Sequence, residues 1–309
     1  MEESITQTQI KSFIQPGVLW SKTTQQTEFA RQCGALKSIE TEYHLIQQQD
    51  ISFVVRTLSN ITRKEQARSK QQRQEHKTGK RIDPFLPYET DLFVGDLSDS
   101  HICLLNKFNV VDNHLLIVTR DFEAQTDRLN LADFTALAIC LQEIDGLAFF
   151  NGGRAAGASQ SHKHLQLIPL PFLADVVERP LESAIANTIF RNSFGQIDSF
   201  PFRHGIATLN LTADSSTQSI AATLLQKYHA LLNYVGFKVD FQHQQQPGAY
   251  NFLATKDWMM IVPRSRESFQ NIGINSLGFA GSLFVRDRSS LEFLKELTPL
   301  KLLTEVACI

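Results

Sequence analysis

The stretch NGGRAAGASQSHKHLQLIPLP, Asn151 to Pro171, decides how this chain is read. Glycines and small residues run up to His162, and from there polar side chains recur at every second position: His162, His164 and Gln166. A period of two belongs to a β-strand, whose side chains alternate between the two faces of a sheet. The spacing predicts a strand with these three side chains on one face. Lys163, Leu165 and Leu167 then point the other way, with the leucines available to a core, and Pro169 and Pro171 close the segment.

Working outward, LAFFNGG reads as a short apolar strand entering a glycine turn. Before it, LNLADFTALAICLQEIDG has a helical start at Asn130, helix-period apolar residues and Gly146 as a stop. Earlier still, HICLLNKF and HLLIVTR are β-branched and apolar runs joined by NVVDN, a hairpin-sized link. The first sixty residues read as mainly helical, with an apolar run at ISFVVRTL that suits an early strand; DPFLPYETDLFVGDL reads as extended segments and turns. Beyond residue 190 the pattern is a strand in PFRHGIATLNL, an amphipathic helix in STQSIAATLLQKYHALLNYVG and a hairpin in AYNFLATKDWMMIVPRS turning at Lys256-Asp257. The tail SLEFLKELTPLKLLTEV is helical. This order predicts an α+β fold, a mostly antiparallel sheet with helices on one face. Two fused subdomains are expected, 1–190 and 191–309.

Composition narrows the partners. With 309 residues, 42% apolar, 20% charged and a formal net charge of −2, the chain is globular and near-neutral. It has no global reason to seek nucleic acid or membrane. The basic run RKEQARSKQQRQEHKTGKR, Arg63 to Arg81, sets eight basic residues against Glu65 and Glu75. It reads as a solvated segment, or as an arm that gathers a polyphosphate; it lacks the interleaved aromatics that base stacking needs. Cys33, Cys103, Cys140 and Cys308 form no C-x-x-C pair and read as reduced, mostly buried residues. The acidic start MEESITQTQIKSF is unlike a secretory signal, and no apolar run nears the ~20 residues of a membrane span. The cytoplasm is expected.

Three readings compete for the polar row. Two histidines can be merely structural. His-x-His on a strand can chelate zinc, but a third ligand is wanted and Gln166 is a poor one, so no metal site is assigned. The third reading is nucleophilic catalysis at phosphorus, in which a neutral imidazole attacks a phosphoryl group and the covalent intermediate is discharged onto an acceptor. An ordinary imidazole is already mostly neutral at pH 7, so little tuning is needed. What is needed is a fixed tautomer and donors for the phosphoryl oxygens. The loop GGRAAGASQS supplies candidate donors, because its glycines let backbone N–H groups approach an anion. It is neither a P-loop nor a Rossmann fingerprint.

These residues carry a resemblance. GASQSHKHLQLIPLP is similar to the signature of the diadenosine tetraphosphate phosphorylases, or ATP adenylyltransferases. That family stands with the galactose-1-phosphate uridylyltransferases in the transferase branch of the histidine-triad superfamily. The resemblance extends over DPFLPYETDLFVGDL, LLNKFNVVDNHLLIVTRDFEAQ, FFNGG and INSLGFAGSLFVR, most of the chain from about residue 50. It implies a histidine-triad-like sheet and assigns roles. His164 is the nucleophile that becomes adenylylated, His162 orients it or the phosphates, and Gln166 contacts the phosphoryl oxygens. Asn106 and Lys107 match the position that meets the nucleoside and ribose. Asn151, Gly157, Ala158, Ser159 and Gln160 match the phosphate-binding segment, and Asn275, Ser276 and Leu277 a further nucleotide-contacting one. Where fungal members carry a methionine and a lysine, this chain has Ser282 and Arg286. For the family's N-terminal phosphate-binding lysine, Arg56 and Lys64 are candidates and neither is assigned.

The implied reaction is cleavage of diadenosine tetraphosphate by inorganic phosphate to ATP and ADP, and its reverse. The alternatives are a related transferase acting on another nucleotide or a sugar phosphate, and a non-catalytic nucleotide- or RNA-binding protein. A divalent cation, magnesium, is expected to arrive with the polyphosphate; no tightly bound cofactor is expected. The partners are then the dinucleotide, ATP, ADP and phosphate, with no membrane or nucleic acid, and the chain is a monomer or weak homo-oligomer. A carboxamide cannot hand over a proton at neutral pH, so Gln166 favours an acceptor that is already anionic over water.

Overall fold

The computed structural model describes residues 13–58, 83–172, 179–209, 211, 215–240 and 242–309. The basic run Arg63 to Arg81, and with it Lys64, lies outside the described residues. The chain begins with helix α1 (Leu19–Gln32) and a hairpin of β1 (Thr41–Gln48) and β2 (Ile51–Leu58). The first sixty residues are therefore less helical than their composition suggests. TEYHLIQQ has the helix-friendly residues Glu and Gln, but its full register with β2, from Thr41 opposite Leu58 to Gln48 opposite Ile51, overrides that weak preference.

Next come β3 (Phe93–Asp96), β4 (His101–Leu105) and β5 (Leu115–Thr119), then helix α2 (Leu131–Glu143), β6 (Gly146–Gly152) and β7 (His164–Pro169). The start of α2 is a capping box: Asn130 accepts from the amides of Ala132 and Asp133, and Asp133 accepts from the Asn130 amide. A short helix α3 (Glu182–Ala186), strands β8 (Phe194–Gly195) and β9 (Gly205–Thr208) and helix α4 (Thr217–Tyr234) follow. Ile220, Ala221, Leu224, Tyr228, Leu231 and Leu232 form the buried stripe of α4. The hairpin β10 (Tyr250–Ala254) and β11 (Trp258–Pro263) turns where expected, and the small strands β12 (Ser268–Phe269) and β13 (Ile272–Gly273) lead to helix α5 (Ser276–Phe279) and β14 (Ser282–Val285). The helical tail is split into α6 (Arg288–Leu297) and α7 (Pro299–Val306), because Thr298 between them has φ 76° and Pro299 cannot continue a helix.

Nine strands form one antiparallel sheet in the order β3-β4-β5-β7-β6-β10-β11-β9-β8, and β1, β2 and β14 form a second. The join between β6 and β10 carries the large sheet across residue 190. The mostly antiparallel α+β fold is as expected. The three longest helices, α1, α2 and α4, cover one face through Leu19, Phe134, Leu137, Leu224 and Tyr228. The other face is covered at two places. Phe85, with Tyr88 and Phe93, packs on Ile102, Leu104, Leu116 and Val118 of β4 and β5. The small sheet and helices α3, α5, α6 and α7 pack on Leu147, Phe149, Leu253, Met260 and Val262 of β6, β10 and β11. Strand β7 lies between β5 and β6, at the border of these two apolar clusters. Its face-up residues His164 and Gln166, opposite Val118 and Leu116, stand on that border.

Candidate active site

His164 opens β7, and its backbone is held by Gln125, whose Oε1 accepts the His164 N–H (2.9 Å) and whose Nε2 donates to the carbonyls of Asn151 (3.0 Å) and His164 (3.3 Å). Its ring donates from Nδ1 to the His162 carbonyl at 2.8 Å. A carbonyl only accepts, so Nδ1 carries the proton and Nε2 the lone pair. Burial pushes this histidine down to about 4, because desolvation disfavours the imidazolium. The His162 carbonyl and Asp83 oppose that shift but do not outweigh it. At pH 7 the ring is neutral, more completely than an ordinary imidazole.

His162 sits just before β7, in a single bridge with Ala124. The strand thus starts two residues later than the alternation predicts, because the Ser161 carbonyl and the Lys163 amide pair with Gln125 and Glu123 instead. The His162 ring donates from Nδ1 to Asp83 (2.7 Å), and its Nε2 lies against the carbonyl (2.8 Å) and hydroxyl (2.9 Å) of Thr119. With both nitrogens engaged, and Nδ1 of His164 engaged as well, the pair is not arranged as a metal chelate. The Phe85 ring lies 5.5 Å from the His162 ring and 5.3 Å from that of His164, so both imidazoles do occupy one side. Phe122, largely exposed, lies 5.4 Å from His162.

Lys163 points to the other side, as expected, but into an ion-pair cluster rather than solvent. Its Nζ meets Asp133 (2.7 Å) of α2 and Glu123 (2.9 Å), and Asp133 also meets His101 Nε2 at 3.1 Å. Desolvation would lower the ammonium of Lys163, yet the two carboxylates hold it above the usual lysine range. Desolvation would raise Asp133, yet His101 and Lys163 keep it below the usual carboxylate range.

Gln166 is half-buried, and its Oε1 lies 3.0 Å from His114 Nε2. Asn106 Nδ2 lies 3.2 Å from His114 Nδ1, over the ring, and Asn106 Oδ1 accepts the Phe108 N–H (3.2 Å), while Lys107 is paired with Glu89 at 2.7 Å. Asn151 and Asn251, opposite each other on β6 and β10, form a buried knot with Ser276. The Asn151 oxygen accepts from Asn251 Nδ2 (2.9 Å) and from the amide (2.9 Å) and hydroxyl (2.8 Å) of Ser276. Arg264 donates to the carbonyls of Ala156 (3.3 Å) and Ile274 (3.0 Å), tying the glycine loop to the turn before α5. Burial outweighs the attraction of the nearby Glu267 and brings Arg264 down to about 9.

In the loop itself, the amides of Ala156 and Ala158 bond the Gly153 carbonyl and that of Gly157 bonds Arg154. The amides of Ser159, Gln160 and Ser161 make no bond to another described residue. They are open donors beside His162. Asn275 caps α5 by accepting the Leu277 N–H (3.0 Å). Ser282 is enclosed in β14 opposite Val54, and Arg286 is exposed beyond that strand's end. Arg56 is buried and donates to the Phe172 carbonyl (2.7 Å) and to Thr41 (3.1 Å).

The structure thus brings together His162, His164, Gln166, Asn151, Ser276 and the loop after Gly157. It adds Asp83, Phe85, His114, Thr119, Gln125, Asn251 and Arg264. Asp83 and Phe85 lie in DPFLP, a stretch singled out as family-like without a role. His114, Thr119 and Gln125 lie in LLNKFNVVDNHLLIVTRDFEAQ, likewise singled out without a role for them, whereas Asn251 and Arg264 carry no sequence signal of their own, because they reach Asn151 and Ala156 across 100 and 108 residues of chain.

Such a site is that of a nucleotidyltransferase: a buried neutral imidazole with a bare Nε2, a carboxamide two residues on, and a glycine loop with open amides. Comparison with known proteins narrows the class. The domain described as Ap4A phosphorylase N-terminal domain matches residues 9–187, and the ATP adenylyltransferase C-terminal domain matches residues 198–308. The chain belongs to this family of Ap4A phosphorylases and ATP adenylyltransferases. It is 31% identical over 242 residues to diadenosine tetraphosphate phosphorylase 2 of Saccharomyces cerevisiae, spanning 69% of this chain and 72% of that one. Protein APA1 of the same yeast is 27% identical over 209 residues, 63% of this chain and 64% of its own length. The crystal structure of the yeast Ap4A phosphorylase Apa2 superposes with a TM-score of 0.75 at 26% identity, covering 96% of this chain and 95% of that one. The same yeast protein has been solved with AMP and with Ap4A, and those structures superpose at a TM-score of 0.73, covering 95% and 96% of this chain and 98% of each of theirs.

Proposed function

We propose that this chain cleaves diadenosine tetraphosphate with inorganic phosphate, yielding ATP and ADP, and runs the reverse reaction through the same intermediate. Nε2 of His164 attacks the α-phosphorus, the bond to the bridging oxygen breaks, and ATP leaves as an anion. Phosphate then attacks the adenylyl group on His164, releasing ADP and restoring the neutral ring. The observation that carries this is the tautomer: Nδ1 of His164 is bound to the His162 carbonyl, so the nucleophilic lone pair is on the other nitrogen. The open amides of Ser159, Gln160 and Ser161 and the amide of Gln166 are donors for the phosphoryl oxygens. The yeast Apa2 structures with Ap4A and with AMP support a substrate of this class.

Phosphate is the preferred acceptor over water because Gln166 offers no proton-transferring group to activate water. A divalent ion, magnesium, would accompany the polyphosphate and neutralise part of its charge. Among the described residues no helix is long and apolar enough to cross a membrane. We place the reaction in the cytoplasm, performed by a monomer or weak homo-oligomer.

The test is to incubate the protein with α-labelled dinucleotide, quench it and assay acid-labile, alkali-stable label on the chain. His164→Ala is expected to abolish the label; label that survives puts the nucleophile elsewhere. Equal turnover with and without phosphate, giving ATP and AMP, would refute phosphorolysis.

A further inference from the structure

Gln166 stands where the adenylyl group must be held, but a carboxamide is ambiguous: turned one way it offers two N–H donors, turned the other an oxygen that repels phosphate. Its surroundings resolve the choice. The Phe108 N–H can only donate, and it lies 3.2 Å from Asn106 Oδ1, so the Asn106 Nδ2 is on the opposite side. That nitrogen lies 3.2 Å from His114 Nδ1 and 3.5 Å from Nε2, over the ring, where it braces the imidazole without selecting its tautomer. The tautomer is set on the Gln166 side: the Gln166 oxygen only accepts, so the His114 Nε2 that meets it at 3.0 Å carries the proton. With its oxygen held there, the Gln166 NH2 is left for the site. The ring is also braced by Phe149, at 5.8 Å between centroids, directly across from Gln166 on β6. The Asn106 amide bonds the His114 carbonyl at 2.8 Å, closing the unit.

We propose that Asn106 and His114 are positioning residues that lock the carboxamide of Gln166 with its N–H bonds toward the α-phosphoryl oxygens. This rests on the adenylyl-transfer reading and adds to it a reason for a histidine in the β4–β5 hairpin. Gln166 and a backbone amide would each address one non-bridging oxygen, so the lock also sets which α-oxygen is recognised. A sulfur placed there accepts hydrogen bonds poorly. The wild type should accordingly discriminate between the two α-thio diastereomers of ADP.

The experiment measures adenylyl transfer to ATP from ADP and from each α-thio diastereomer of ADP. Wild type is compared with Gln166→Ala, His114→Phe and His114→Gln, with thermal unfolding of each. His114→Phe keeps the ring against Phe149 and removes both nitrogens. Its kcat is expected to fall on the order of 10-fold with KM within about twofold, the pattern of an interaction made in the transition state. Its diastereomer ratio should shrink toward that of Gln166→Ala. His114→Gln, which can still donate to the Gln166 oxygen, should recover most of both. A wild-type ratio in His114→Phe overturns the proposal, as does a His114→Gln variant equally impaired at unchanged stability. Should His114→Phe not fold, Asn106→Ala is the second readout: it removes the amide that braces the His114 ring and should shrink the ratio, and an unchanged ratio overturns the lock. Absence of any transfer or adenylyl-His164 in the wild type sinks the parent reading as well, a result distinct from active wild type with unaltered variants.

Discussion

At the scale of single residues, His164 shows how position changes chemistry. An ordinary imidazole would already be mostly neutral at pH 7, but burial beside Phe85 takes this one down to about 4. Because the folded value lies below the unfolded one, the neutral ring is favoured by the fold. That stability is complete above about pH 6.5 and is lost as pH falls toward 4. Nitrogen-15 NMR of the free enzyme is therefore expected to show the His164 ring unprotonated at pH 6, with Nδ1 protonated and Nε2 bare. A midpoint near 6.5 would contradict it. Residue identity alone does not reveal this shift, since it comes from enclosure. Ser282 makes the complementary point: it stands where fungal members carry a methionine, and its side chain is enclosed in β14.

At the scale of elements, two units hold the site. One is the loop from Gly153 to Ser161, which must run close beneath the turn before α5. Gly157 has φ 89°, and a Cβ there would lie 2.7 Å from the Ile274 carbonyl. Gly157→Ala is expected to destabilise by roughly 1–3 kcal/mol. It should also raise KM for the dinucleotide, measured by thermal unfolding and initial rates. The other unit couples α2 to the strand behind the imidazoles through Lys163 and Asp133. Lys163→Met leaves Asp133 buried with only His101 and the Asn130 amide, at a cost on the order of 3–5 kcal/mol, and Lys163→Met with Asp133→Asn, which keeps an acceptor for that amide, should recover much of it. Since Asp133 is held below the usual range, its contribution is present above about pH 4 and lost as pH falls through its folded value. Both units were half-visible in sequence. The glycines and the alternation announced a loop and a strand, whereas Lys163 pointed away from the site without a hint of what it would meet.

At the scale of the whole molecule, the large sheet joins the two halves: β6 pairs β10 from Tyr250 opposite Gly152 to Ala254 opposite Ala148. Both main cores draw on both halves, with Phe134 beside Tyr228 in one and Phe149 grouped with Leu253 and Met260 in the other. The two fused regions should therefore unfold together. Calorimetry of the full chain is expected to show one transition, and two well-separated ones would mean the halves are stable apart. The sequence by itself determined the elements around the site and the residue types of its chemistry. Periods of two and 3.6, caps and glycines act within a few residues, and the HKHLQ row was legible from its spacing. Only the tertiary structure decided the cleft between two apolar clusters, the depth that keeps His164 neutral, and the partners Asp83, His114, Asn251 and Arg264. Those depend on strand order and on contacts across distant parts of the chain, and burial and hydrogen-bond pairing at that range exist only after the sheet has closed.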